Sequence, residues 1–307
     1  MLTIYKNFNS FSDKRDFVYE SEDAFEAELD RVAREIRDEE GLKVVTLSGP
    51  TCSGKTTTAA TLIRDWGRAG QRVRLISIDD FFRDRADLHA EAEAEGRNSP
   101  DFETVRAIDF DYFSKCVDDI SNNRLVRLPV FDFTTGKRGG YEEFNAAEYD
   151  VVLLEGIQAI YPEITALFHH YRHKSIFISV ARDLMFNGML FSRREIRFLR
   201  RLVRDFTYRA ASPEYTYELW ENVVRNEDVN ILPFIDTTDI TVDSLLAYEP
   251  LVIAPFALTL LRAIPENSPF ASDAAQKIAK LEKLQTIDAD IVPSDSVFRE
   301  FIGPRRR

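Results

Sequence analysis

The sequence predicts an α/β protein built on a mostly parallel sheet flanked by helices. Three observations carry that expectation. Short apolar runs that read as strands alternate with segments of helical periodicity. One of those strands runs straight into GPTCSGKT, a glycine-containing turn that opens a helix. The composition, 44% apolar and 30% charged over 307 residues, is that of a chain able to bury a sizeable core and excludes wholesale disorder.

Taken in order, residues 21–38 carry Phe25, Leu29, Val32 and Ile36 at spacings of three and four, which predicts an amphipathic helix with Ser21 as its N-cap. Lys43 to Leu47 reads as a short buried strand, and residues 56–70 as the helix after the GPTCSGKT turn. Val73 to Ile78 makes a second strand, ending on Asp79 and Asp80. Val151 to Leu154 makes a third, ending on Glu155 and Gly156, and Ser175 to Val180 a fourth. Phe110 to Ser121 and Leu199 to Thr207 show helical periodicity. A last strand near Asp239 to Val242 precedes a helix-rich tail. The expected division is an N-terminal arm and helix over 1–40, an α/β unit over 41–243, and a helical extension over 244–307 packed on that unit.

Charge and cysteine usage narrow the function. Forty Lys and Arg stand against 52 Asp and Glu, a formal net charge of −12, which speaks against coating nucleic acid or an anionic membrane. The longest apolar stretch, Val252 to Leu261, is broken by Pro255 and too short to span a bilayer, and the opening residues hold no signal-peptide pattern. Cys52 and Cys116 form neither a disulfide framework nor a metal site, so a reducing cytoplasm is expected. His169, His170 and His173 have no cysteine or carboxylate at ligand spacing and read as a solvated helix end or loop.

The strongest chemical signal is GPTCSGKT, residues 49–56, which satisfies G-x-x-x-x-G-K-[ST] between a strand and a helix. Gly49 and Gly54 let backbone N–H groups wrap a phosphate, with Pro50, Thr51, Cys52 and Ser53 forming the turn between them. The helix N-terminus stabilises negative charge, Lys55 supplies a mobile cation, and Thr57 follows in the first turn. The Thr56 hydroxyl is placed to ligate Mg²⁺ beside the β- and γ-phosphates. A glycine-rich turn alone does not account for Lys55 at the helix start. These residues mark a nucleotide phosphate site.

In an open α/β sheet, ligands sit beyond the carboxyl ends of the strands, where Asp79, Asp80 and Glu155 fall. One carboxylate there can orient or deprotonate an attacking hydroxyl, and another can hold Mg²⁺ or its waters. A single acid after a strand also serves as a helix cap or solvated turn. Residues 192–209 hold seven arginines against Glu195 and Asp205, with Arg197, Arg201 and Arg204 on one helical face. That face reads either as solvated and acid-paired or as a lid bringing guanidinium groups onto phosphates.

With these residues in hand, the chain resembles the uridine kinase branch of the phosphoribulokinase/uridine kinase family. More closely, it looks like a bacterial nucleoside kinase-like subgroup in which such a domain often follows a TGS region, and only an arm and helix of about 40 residues are expected before the kinase domain here. The resembling segments are GPTCSGKTTTA, SIDDFFRDR, DFETVRAIDFDYF, LPVFDFTTGKR, YDVVLLEGIQAI, RRLVRDFTYRAAS, RNEDVNILPF and SVFREFIG, in the family's order over about residues 40–303. The resemblance implies a P-loop kinase-type sheet of about five parallel strands flanked by helices, with a helix-rich C-terminal extension.

It also implies roles. Asp79 would be the general base or orienting carboxylate, and Glu155, with Thr56, would act on Mg²⁺. Glu103 would hold sugar hydroxyls. Phe131 and Arg138 would line the acceptor site. Arg204 and Arg209 would match the family's arginine lid and act with Lys55 on the transferred group, while Arg197 and Arg201 match the basic positions before it. Departures from the family pattern centre on the acceptor. Phe131 and Gly136 stand where uridine kinases carry a Tyr and a His that contact the pyrimidine, and Ala210 replaces a Gly after the lid arginine.

The leading expectation is a kinase transferring the γ-phosphoryl group of ATP·Mg²⁺ to a nucleoside hydroxyl, the 5′-hydroxyl of uridine or cytidine by resemblance. The alternatives are a kinase for another sugar or polyol hydroxyl, and a nucleotide-dependent regulatory module without acceptor activity. No N-K-x-D guanine-reading motif is present, which speaks against a GTPase. The expected partners are ATP and a small-molecule acceptor, with no nucleic acid and no membrane; homo-oligomerisation stays open.

Overall fold

A computed structural model describes residues 1–96, 102 and 104–305. Along the chain the elements are β1 (Leu2–Ile4), α1 (Phe11–Arg37), β2 (Val44–Ser48), α2 (Lys55–Arg68), β3 (Val73–Ser77), α3 (Arg85–Ala94), α4 (Phe110–Ser121), β4 (Leu125–Asp132) and β5 (Lys137–Asn145). There follow β6 (Val151–Glu155), α5 (Pro162–Thr165), β7 (His173–Ser179), β8 (Leu184–Phe186), β9 (Met189–Phe191), α6 (Arg193–Arg209) and α7 (Pro213–Asn226). The chain closes with β10 (Ile240–Asp243), α8 (Glu249–Leu261), α9 (Ala271–Leu281) and α10 (Arg299–Ile302).

Five strands form one all-parallel sheet in the order β10-β7-β2-β6-β3. They are the five strands expected from the apolar runs. Its three central strands, β7, β2 and β6, are buried on both faces and carry apolar runs, while the edge strands β3 and β10 are partly exposed. Alternation still sorts them. Val45, Leu47, Val151, Leu153, Ile176 and Ile178 join the core beneath α1, α2, α6 and α8. Val44, Val152, Leu154 and Phe177 join a second core with Phe113, Val117 and Ile120 of α4. Truncating a fully buried leucine such as Leu153 would cost about 2–5 kcal/mol. Register then places the chemistry, because Glu155 lies opposite Leu47 on one side and Ser77 on the other.

α1 starts ten residues earlier than the periodicity suggested. Ser10 is its N-cap, accepting from the Asp13 N–H, and Phe17 and Val18 extend the buried stripe. Ser21 is no cap: it lies inside the helix, where its hydroxyl donates to the Phe17 carbonyl at 3.0 Å. α6 likewise runs longer than Leu199 to Thr207, from an N-cap at Ser192 to Ala210, which adopts the left-handed conformation at φ 51°.

Two further sheets escaped the sequence. β1 pairs in parallel with β8, which pairs antiparallel with β9, each strand only three residues long. β4 and β5 form an antiparallel hairpin with a bulge between Val130 and Phe131. In the tail, α8 is buried almost all round and belongs to the same core as the central sheet. Among the described residues, no helix is long and apolar enough to cross a membrane.

Candidate active site

The loop from Gly49 to Gly54 connects β2, the central strand, to the first turn of α2. Gly49 is required by close approach: a Cβ there would sit 2.2 Å from the Ile178 carbonyl oxygen. Gly54 has φ +89° and caps α2 with no side chain, leaving the first-turn N–H groups directed at the loop. Cys52 also takes a positive φ, and its thiol is buried. Ser53 is 1% exposed, and its Oγ has no hydrogen-bond partner among the described residues. An orphaned hydroxyl inside a ring of backbone donors suits a bound phosphate oxygen. Lys55 Nζ folds back onto the Gly49 carbonyl at 2.8 Å and the Pro50 carbonyl at 3.3 Å. Burial lowers the Lys55 pKa, opposed by the nearby charges of Glu155, Asp79 and Glu300.

Two carboxylates stand at the strand ends beside this loop. Glu155 closes β6 and accepts from the Ser77 hydroxyl at 2.9 Å. Asp79 lies in the 3₁₀ turn that follows β3. Burial, reinforced by the Glu155 charge, pushes Asp79 up to about 6, while Lys55 and a hydrogen bond with Gln158 pull the other way. Gln158 is itself buried, and its Oε1 has no partner among the described residues. The next residue, Asp80, is raised chiefly by burial, and its carboxylate accepts from the Phe131 N–H at 3.4 Å.

Thr56 is exposed in the first turn of α2, with Glu155 at the adjacent strand end. One hydroxyl and one carboxylate form a sparse donor set. It fits Mg²⁺, which keeps several waters and binds through one or two protein oxygens plus substrate phosphates. Among the described residues no group of three His, Cys, Asp or Glu is placed to hold a metal by itself.

The arginines of α6 are acid-paired, as one of the two readings had it, but three of them, Arg197, Arg200 and Arg201, are buried instead of solvated. Arg197 is 4% exposed; its Nε donates to the Thr51 carbonyl at 3.0 Å and its other nitrogens pair with Glu227. Arg201 is 8% exposed and pairs with Asp205 at 3.1 Å. Arg197 thus donates to the loop carbonyl and to a buried acid, while Arg201 is held as an ion pair with Asp205 and its Nε has no hydrogen-bond partner among the described residues. Asp205 also collects Arg204 at 2.8 Å and Arg209 at 3.4 Å, so one buried carboxylate faces three guanidinium groups. Arg204 lies within electrostatic reach of Cys52, while Arg209 is exposed at the helix end. Arg200, which sequence reasoning passed over, is wholly buried and joins Glu249, the Ser244 carbonyl and the Cys52 carbonyl. Thus α6 grips the phosphate loop through two of its carbonyls. The only sequence signal for this was the density of arginines.

The expected acceptor residues lie around β4 and β5. Phe131 packs against Phe82 and Phe133, with ring centroids 5.9 and 5.1 Å away. Arg138 pairs with Asp109 at 2.8 Å and lies near the rings of Tyr112 and Tyr141. Gly136 has φ +67°, and a Cβ there would meet the Arg85 side chain at 2.9 Å. Glu103 lies outside the described residues. His173, expected in a loop or helix end, begins β7 and stacks on Phe168.

A parallel sheet, a phosphate loop at its centre and carboxylates at adjoining strand ends define a P-loop phosphotransferase with a hydroxyl group as acceptor. The Phosphoribulokinase / Uridine kinase family model matches residues 44–248, and the chain belongs to that family. A uridine kinase of Deinococcus deserti is 26% identical over 59% of this chain and 77% of its own length. Uridine-cytidine kinase C of Dictyostelium discoideum is 29% identical over 40% of this chain, which spans 25% of that longer protein. Among solved structures, phosphoribulokinase from Rhodobacter spheroides aligns with a TM-score of 0.46 at 16% identity, covering 66% of this chain and 70% of that one.

Proposed function

We propose that the protein transfers the γ-phosphoryl group of ATP to a nucleoside hydroxyl, with the 5′-hydroxyl of uridine or cytidine as the leading acceptor. The observation that carries this reading is Asp79 beside Glu155 at the phosphate loop, its carboxyl raised to about 6. A carboxylate with a pKa near the working pH is suited to take a proton from an attacking hydroxyl.

In this reading the loop N–H groups, Ser53 Oγ and Thr57 hold the phosphates, and Lys55 leaves the Gly49 carbonyl to neutralise their charge. Asp79 orients the acceptor hydroxyl and accepts its proton, with Gln158 steadying the carboxylate. Arg204 and Arg209, sharing Asp205, keep positive charge to offer the transferred group. Thr56 and Glu155 would hold Mg²⁺, which when bound offsets charge on the phosphates. Residues 41–243 make up the kinase unit, with 1–40 and 244–307 packed on it. The two free, buried cysteines support a cytoplasmic location.

A second reading keeps the phosphate machinery and changes the acceptor to another sugar or polyol. The aromatic wall of Phe82, Phe131 and Phe133 favours it, because these rings offer no polar atom to read a base. An ATP-consumption assay over a panel of nucleosides, sugars and polyols tests both. Turnover with uridine or cytidine alone supports the nucleoside reading, and turnover with a sugar or polyol alone replaces it with the second. ATP hydrolysis that no acceptor stimulates contradicts both and points to a nucleotide-dependent regulatory module.

A further inference from the structure

Residues 296–303 return from the far end of the chain onto the phosphate loop. Val297 seats on Gly54, where a Cβ would lie 2.5 Å from Val297 Cγ2. Thr57 Oγ1 donates to Glu300 Oε2 at 3.1 Å, a contact between residues 243 positions apart. Phe301 is fully buried beneath the Arg200 guanidinium, 4.8 Å from its ring centroid, and Arg200 in turn donates to the Cys52 carbonyl. Arg299 stitches the segment in place through the carbonyls of Ala289, Val292 and Pro293. The position of Glu300 is therefore built into the fold.

Thr57 is the third residue of α2, in the turn whose N–H groups lack helical partners and favour anions. Glu300 is also within electrostatic reach of Lys55, Arg200 and Arg204. Its carboxylate thus draws on one donor and three cations that surround the phosphate loop. A triphosphate entering the loop meets that fixed negative charge, and the repulsion scales with the charge the triphosphate carries. A bound divalent cation removes about half of the net charge of a fully ionised triphosphate, and with it about half of the repulsion.

Resting on the nucleotide-binding reading above, we propose that Glu300 is a specificity-determining residue of that site, disfavouring metal-free triphosphate relative to the metal-bound form. The charge is the agent, and the packing of residues 296–303, with the hydrogen bond to Thr57 added to it, sets where it stands.

Isothermal titration calorimetry with ATP, once in EDTA and once in excess MgCl₂, tests this on the full chain. Glu300→Gln keeps an oxygen to accept from Thr57 and removes the charge. It should tighten metal-free binding about tenfold and metal-bound binding about threefold or less, with the difference shrinking at high salt. Thr57→Val keeps the charge but removes a phosphate-holding hydroxyl, so it should weaken both affinities together and leave their ratio as in the wild type. An unchanged ratio in Glu300→Gln, or an equal change of ratio in Thr57→Val, overturns the proposal. If Glu300→Gln melts early, Glu300→Asp, with the carboxylate withdrawn by one methylene, should shift the ratio in the same direction and an unshifted ratio counts against it. A wild type that binds ATP in neither condition overturns the nucleotide-binding reading itself, a result distinct from failure of Glu300 alone.

Discussion

Asp79 stands beside Glu155 at the carboxyl edge of the sheet, and burial together with that second carboxylate holds Asp79 at about 6. Glu155 accepts from the Ser77 hydroxyl, across the register that sets β3 beside β6. Like charges held together at a strand end raise the proton affinity of one of them.

That relationship predicts a pH profile. Asp79 must be ionised to accept a proton, so kcat/KM should fall below about pH 6 with unit slope as the carboxyl protonates. Asp79→Asn should flatten that limb along with the rate. A limb that persists unchanged in the residual activity of Asp79→Asn would assign the ionisation to another group.

The same shift has a stability consequence of opposite sign. The folded state binds the Asp79 proton more tightly than the unfolded chain, so between the ordinary value of 3.8 and about 6 stability falls as pH rises. Asp79→Asn removes that loss and should stabilise the protein at pH 7 by roughly 3 kcal/mol, with no gain near pH 3.5. Urea unfolding at the two pH values measures it.

Arg200 and Glu249 form a pair with both side chains essentially inaccessible to solvent. Arg200→Met leaves Glu249 buried without its partner and should cost about 3–5 kcal/mol, while adding Glu249→Leu should recover much of the loss. Nucleotide affinity should remain weakened in the double variant, because the Cys52 carbonyl still lacks its Arg200 donor. Denaturation and ATP titration separate the two effects.

Glycines divide by what surrounds them. Gly49→Ala places a methyl group against the Ile178 carbonyl and should abolish nucleotide binding. Gly67→Ala, on the exposed side of α2 with nothing within 4 Å, should stabilise the helix by about 0.5–1 kcal/mol and leave binding intact. Ala210 is the converse case: it ends α6 at φ 51°, so Ala210→Gly should stabilise by about 1 kcal/mol. Thermal melts rank all three.

The five strands of the main sheet were legible because each is an apolar run ending at a turn or an acid. Glu155 and Asp79 were legible from the same pattern. The three-residue strands β1, β8 and β9 were not, since so short a run carries no period. The hairpin of β4 and β5 was hidden by its mixed exposure and its bulge at Phe131. The α6 arginines showed their number but not their direction. Whether Arg197 faces solvent or Thr51 depends on Glu227, thirty residues away in sequence. The contact of Glu300 with Thr57 was invisible for the same reason, the two lying 243 positions apart.

The most direct measurement compares ATP binding with phosphoryl transfer in the wild type and in Asp79→Asn, using γ-labelled ATP and an acceptor identified from the panel. The wild type should bind ATP and move the label to the acceptor. Asp79→Asn should bind ATP at least as well and transfer about 10²- to 10⁴-fold more slowly. Transfer at the wild-type rate by Asp79→Asn, or a wild type that binds ATP and labels no acceptor, would contradict a phosphotransferase built on Asp79 and the phosphate loop.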